Sequence, residues 1–171
     1  FYRFSDIGFP KVDALSVIVE VFTNIKIKTN NSFYEGGLLD GIVISAVDSM
    51  LVRKNIWLQQ AGKSIGCKFV IDPRMGAETA LCYVNNPMSL SDQESYKKTL
   101  YSDDNAVQEA CTAKATMYTA IMLSGLVAKA VKDICVDGKT FKTVEWSIKD
   151  NDFVCHVGGQ KATGGYCQDA L

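Results

Sequence analysis

The run Gly41-Ile42-Val43-Ile44-Ser45-Ala46-Val47 constrains the fold more than any other stretch of the chain. It is short, rich in β-branched residues and lacks alternation of apolar with polar positions, the pattern of a parallel strand covered on both faces. It stops at Asp48. From Ser49 to about Ala61 apolar residues return at helical spacing, with Leu51, Val52 and Ile56 in register and Gly62 just past the end. Cys67-Lys68-Phe69-Val70-Ile71 reads as the next strand. Strand, helix and strand in that order form a βαβ unit, which implies a parallel pairing and a crossover. The architecture implied is α/β.

The flanking segments extend this pattern. Pro10 followed by Val12, Leu15, Val17 to Val19, Val21 and Phe22 predicts a helix, with proline placed in its first turn. Ile25-Lys26-Ile27-Lys28-Thr29 alternates and predicts a half-buried strand, with a turn at Asn30-Asn31-Ser32. Glu78 to Val84 predicts another strand. The stretch from Asn85 to Gln108 is polar. Residues 85–110 are expected to be a mobile crossover segment, in which Ser91-Asp92-Gln93-Glu94 caps a short helix running to Leu100. A long helix is expected from about Thr112 to Ile134, and Lys142 to Ile148 with Phe153 to Val157 predict a C-terminal β-hairpin. The glycine-rich tail, 158–171, is expected to be loose. The whole chain, 1–171, reads as a single domain.

Composition removes several classes. The 18 Lys+Arg balance 19 Asp+Glu, and no dense basic run is present, so nothing attracts a nucleic acid electrostatically. The 6 cysteines show no C-x-x-C spacing, which argues against a zinc ribbon, and a chain of 171 residues buries enough apolar surface to fold without disulfides. Reduced thiols and a cytoplasmic location are expected. The longest apolar stretch, Ala120 to Val131, is interrupted by Ser124, Gly125 and Lys129 and is too short to span a bilayer.

Asp6-Ile7-Gly8-Phe9-Pro10-Lys11-Val12, then Val43-Ile44-Ser45-Ala46-Val47-Asp48-Ser49 with Arg53, resemble the ThiF/HesA-type adenylyltransferase family, which includes the activating enzymes of ubiquitin and of sulfur-carrier proteins. Arg74-Met75-Gly76-Ala77-Glu78, the polar stretch from Asn86-Pro87 to Tyr96, and Cys111-Thr112 continue the resemblance in the same order, up to about Lys132. The fold it implies is a partial doubly wound, Rossmann-like, mostly parallel sheet. The activity it implies is adenylation of the C-terminal carboxylate of a ubiquitin-like or sulfur-carrier protein by ATP with Mg²⁺, in a homo- or hetero-oligomer. By this resemblance Lys11 reaches the phosphates, Asp48 holds Mg²⁺ or the nucleotide, Arg53 is a weaker catalytic candidate, and Cys111 takes the activated carboxylate as a thioester.

Each residue also has a plainer reading. Lys11 in a first helical turn can be a solvated side chain. Asp48 after a strand can cap the next helix by accepting from its free N–H groups. Arg53 can be an exposed helix residue, and Arg74 can pair with Glu78 or with Asp72. Cys111, at the expected start of the long helix, is either an electrostatically supported thiolate or a small buried hydrophobe. His156 is the only histidine and reads as structural, and Trp57 and Trp146 read as packing.

The family's glycine-rich nucleotide loop precedes the Lys11 segment, and the chain, which opens at Phe1, does not contain it. Gly158-Gly159 and Gly164-Gly165 follow no suitable strand and cannot replace it, and the zinc-binding C-x-x-C pairs of some members are missing too. The chain is therefore read as the C-terminal portion of such an enzyme. Two alternatives remain: a non-catalytic ThiF-like module that docks a ubiquitin-like protein or a subunit, and a fragment of a nicotinamide-dependent dehydrogenase, against which the lack of an ordered catalytic His or Tyr-Lys pair counts.

Overall fold

The computed structural model describes residues 3–101, 117–158 and 160–163. The chain divides into two compact units, Phe1–Glu35 and Gly36–Leu171, where the sequence reads as one domain.

In the first unit a 3₁₀ turn, Phe4–Asp6, leads to helix α1, Lys11–Thr23. Proline serves at the helix start as its fixed φ predicts. The helix ends where Asn24 turns left-handed (φ 57°) and its N–H closes on Glu20 O at 2.8 Å. The strand expected at Ile25–Thr29 does not form. Alternation marks a segment able to lie in a sheet, but a strand exists only where a neighbour completes its ladder.

The second unit is built on a six-stranded sheet in the order β1-β2-β3-β4-β5-β6. The strands are β1 (Gly41–Ile44), β2 (Cys67–Met75), β3 (Thr79–Asn85), β4 (Thr143–Ser147), β5 (Asp152–Val157) and β6 (Gln160–Thr163). Helix α2, Met50–Gln60, connects β1 to β2, so the expected βαβ unit is present. Only β1–β2 is parallel, and every other adjacent pair is antiparallel. The mostly parallel sheet expected from the sequence is therefore corrected to a mixed one. The cause is local: Gly76 N–H donates to Thr79 O (2.9 Å), and so tight a turn returns β3 antiparallel to β2. The C-terminal hairpin is present as β4–β5. Part of the tail expected to be loose, Gln160–Thr163, forms β6 on its far edge.

Two strands differ in length from their sequence reading. β1 ends at Ile44, although Ser45 N–H still donates to Ile71 O at 2.8 Å. It lies at the edge of the described sheet and is half-buried rather than covered on both faces. β2 runs past Ile71 through Pro73 to Met75. Because Ile71 O points toward β1, Pro73 two residues on points to that same side, away from β3, and its missing N–H removes no ladder bond.

The sheet is covered on both faces. On one side Ile71, Ala80, Cys82, Val84 and Val144 pack with Leu123, Ala130 and Ile134 of α4, Met117–Asp137. On the other, Cys67 and Val70 pack with Trp57 of α2 and Tyr96 of α3, Leu90–Lys97. Within the crossover, α3 starts two residues before the sequence suggests, because Ser89 rather than Ser91 is its cap, its hydroxyl accepting from Asp92 N–H (3.3 Å). Buried Asp92 in turn accepts from Asn86 N–H (2.8 Å) and Lys142 Nζ (2.6 Å), fastening α3 to the start of β4. Trp146 packs edge-on against Phe153 (5.6 Å), and His156 lies in β5 opposite Thr143 and Lys161.

Candidate functional site

The carboxyl end of β1 is where the chain leaves the sheet, and Asp48 stands there exposed. The helix-capping reading of Asp48 does not hold. Ser49 is the N-cap of α2, and its Oγ accepts from Val52 N–H at 3.3 Å. Asp48 makes no hydrogen bond or ion pair among the described residues, so its charge is available to a ligand.

One turn into α2, Arg53 is 5% exposed rather than a surface residue. Its Nε donates to Asp72 Oδ1 (2.6 Å) and its Nη2 to Val47 O (2.6 Å). Asp72, on β2 and fully buried, also accepts through Oδ2 from Arg74 Nε (2.8 Å) and from the Tyr96 hydroxyl (2.7 Å). Arg74 therefore pairs with Asp72 and not with Glu78. Its Nη1 and Nη2 reach Thr99 O (2.8 Å) and Thr99 Oγ1 (3.0 Å), and its guanidinium lies over the rings of Tyr83 (4.6 Å to the centroid) and Tyr96 (5.7 Å). Trp57 closes the far side of Tyr96 at 4.6 Å, ring edge to face.

The protonation states follow from this packing. Burial works against the Arg74 cation, but the Asp72 charge and hydrogen bond outweigh it and raise its pKa. Burial first, and then the Asp72 charge, raise the pKa of the Tyr96 hydroxyl, which stays a neutral donor. The same two causes push the Cys82 thiol up to about 12. Two guanidinium groups surround one carboxylate, which leaves one positive charge in excess. The Nη1 of Arg53 has no partner among the described residues.

Arg53 and Arg74 line a cleft of about 1660 Å³ in the second unit, between the ends of β1 and β2 and helix α4. Its walls are apolar for the most part, with Ile44, Val47, Met75, Leu81, Leu123 and Val127 facing it, and Asp48 and Lys132 adding charge. Among the described residues no group of three or more His, Cys, Asp or Glu side chains converges as an ion cage. A lone accessible carboxylate such as Asp48 instead fits the mode in which Mg²⁺ is held by one or two carboxylates together with substrate phosphates and water.

Of the residues singled out in the sequence, the structure brings Asp48 and Arg53 together on this cleft. Lys11 is exposed at the start of α1 in the other unit. Cys111 lies outside the described residues. The sequence reading did not give Asp72, Tyr96 and Thr99 a part in the site. Asp72 and Arg74 are two apart on a strand and so share a face, which is legible, whereas the link from Asp72 back to Arg53 depends on how α2 packs. No protein-family model matches the chain, and no curated protein matches it. No helix among the described residues is long and apolar enough to cross a membrane.

Proposed function

We propose that the chain is the C-terminal part of a ThiF/HesA-type adenylyltransferase that activates the C-terminal carboxylate of a ubiquitin-like or sulfur-carrier protein. The observation that carries this reading is Asp48: an accessible carboxylate at the carboxyl end of a parallel strand, where ligands of open α/β sheets collect, released from helix capping by Ser49. In this reading a carboxylate oxygen of the carrier attacks the α-phosphorus of ATP, the bond to the β-phosphate oxygen breaks and pyrophosphate leaves. Mg²⁺ neutralises phosphate charge when bound. Asp48 holds it, Lys11 faces the phosphates, Arg53 supplies a fixed guanidinium beside the reacting groups, and Cys111 accepts the acyl group as a thioester with loss of AMP.

The edge of β1, unpaired among the described residues, supports the doubly wound, Rossmann-like reading, since a further strand there would complete a sheet carrying the glycine-rich loop. That half is supplied by the same polypeptide or by a partner in a homo- or hetero-oligomer in the cytoplasm. ATP–pyrophosphate exchange in the complete enzyme with its carrier tests the reading. Exchange should appear with carrier, fall about 100-fold or more in Asp48→Ala and in Lys11→Ala, and persist in Cys111→Ala, which should lose only the thiol-sensitive adduct. Exchange unchanged by Asp48→Ala would refute the role of that carboxylate.

A non-catalytic ThiF-like docking module is the second reading, favoured by α1, whose Leu15, Val17, Val21 and Phe22 are all exposed. Under it no exchange occurs, and Lys11→Ala and Asp48→Ala leave partner binding unchanged.

A further inference from the structure

The chain leading out of α3 and the chain leading into α4 are tied to one place, the tip of the β2–β3 hairpin. The tip is itself braced: Gly76 N–H donates to Thr79 O (2.9 Å), and Glu78 O accepts from Ile148 N–H just past β4 (2.8 Å). On the outgoing side Arg74 holds Thr99 with two prongs, Nη1 to its carbonyl (2.8 Å) and Nη2 to its hydroxyl (3.0 Å), while Asp72 Oδ2 fixes the guanidinium through Nε at 2.8 Å. On the incoming side the buried Thr119 hydroxyl donates to Ala77 O (2.7 Å), and the Tyr118 hydroxyl donates to Glu78 Oε1 (2.9 Å). Thr99 and Tyr118 are 19 residues apart in sequence, yet the residues that grip them, Arg74 and Glu78, are only 4 apart.

This tip is also a wall of the cleft. Arg74, Met75 and Gly76 line it together with Thr99 and Tyr101 on the outgoing side and Ala120 on the incoming side. Cys111 lies outside the described residues, but chain length alone bounds its reach: it precedes Met117 by 6 residues, so it stands no more than about 22 Å from the start of α4. A thiol tethered this closely to the cleft wall meets a group held in the cleft at an effective concentration that the tether sets.

We propose that the hairpin tip is the anchor from which Cys111 serves the cleft, and that Glu78 and Tyr118 are positioning residues for thioester transfer and not for adenylation. The inference rests on the adenylation reading and assigns its second step a structural control. In that step the Cys111 sulfur bonds to the acyl carbon, the bond from that carbon to the phosphate oxygen breaks, AMP leaves and the thiol proton passes to solvent. Glu78 and Tyr118 act through the tether and touch none of the reacting atoms.

The complete enzyme with its carrier is the material for the test, and three rates are followed: ATP–pyrophosphate exchange, hydroxamate formed from the adenylate by added hydroxylamine, and the thiol-sensitive adduct at Cys111. Tyr118→Phe removes one hydroxyl from a side chain that is 45% exposed, so the fold is retained. It should leave exchange and hydroxamate within about twofold and slow the Cys111 adduct about fivefold. Glu78→Ala should match it, the double variant should be no slower than either, and Glu78→Gln, whose amide oxygen still accepts from the tyrosine, should recover most of the rate. An adduct rate in Tyr118→Phe that simply follows exchange, whether both hold or both fall, would overturn the anchor. So would fully additive losses in the double variant. Exchange and hydroxamate without any Cys111 adduct in the unaltered enzyme would sink the anchor and spare the adenylation reading, whereas the absence of both exchange and hydroxamate would sink the two together.

Discussion

Ser49 and Asp48 are neighbours with separable roles, one structural and one, in the proposed reading, chemical. Ser49→Ala removes the hydroxyl that satisfies the first turn of α2 and is expected to lower stability by about 1 kcal/mol. Asp48→Ala, which removes no hydrogen bond, should change stability by no more than about 0.5 kcal/mol. Urea titrations of both variants followed by circular dichroism check the pair of outcomes. Asp72 is the opposite case. Asp72→Ala strands two buried guanidinium groups and a tyrosine hydroxyl, with an expected loss of about 3–5 kcal/mol by the same measurement. Part of this was legible in the sequence. Asp48 stood out because it ends an apolar run, and the Asp72–Arg74 pairing was one of two options the strand spacing allowed. That Arg53 is buried was not legible, because a helix shows its inward face through apolar periodicity, and an arginine satisfied by a carboxylate on another element looks like a surface residue.

Among the elements, those announced by periodicity over many residues formed as expected: α1, α2, the β4–β5 hairpin and the part of α4 that is described. Errors arose where a segment's state depends on its neighbour. Ile25–Thr29 has the alternation of a strand and no ladder, while β2 continues through a proline that reads as a terminator, because only the side of the strand without a partner meets it. Pro73→Ala should therefore cost no more than about 1 kcal/mol, arising from the greater freedom of the unfolded chain, and leave the β2–β3 amides equally protected from exchange. Helix α4 makes the larger contribution to packing. Leu123, 7% exposed, is one of its points of contact with the main core, and Leu123→Ala should cost about 2–5 kcal/mol in a urea titration.

Across the whole molecule, burial is unevenly shared. Helix α1 buries only Ala14, whereas β2, β3 and β4 supply much of the main core, so α1 amides should exchange with solvent well before those of β2 and β3. Stability should also fall in alkali. The Cys82 thiol has a native pKa of about 12 against an ordinary value of 9.0. Between those values the unfolded chain releases a proton that the native state retains, so the contribution is complete below the lower value and lost as pH rises toward the upper one. Cys67, Tyr83 and Tyr96 are shifted in the same direction, chiefly by burial. Each such group gives a slope of at most about 1.4 kcal/mol per pH unit, so the urea midpoint should be lower at about pH 10.5 than at about pH 7.5. Finally, β1 is four residues long, half-buried and paired with a single strand among the described residues. The Val47 carbonyl that steadies Arg53 and the Asp48 carboxylate both hang from its end, so fraying there would disperse the mouth of the cleft while the rest of the sheet is still intact. On gentle heating, loss of ligand binding should come before the cooperative melt.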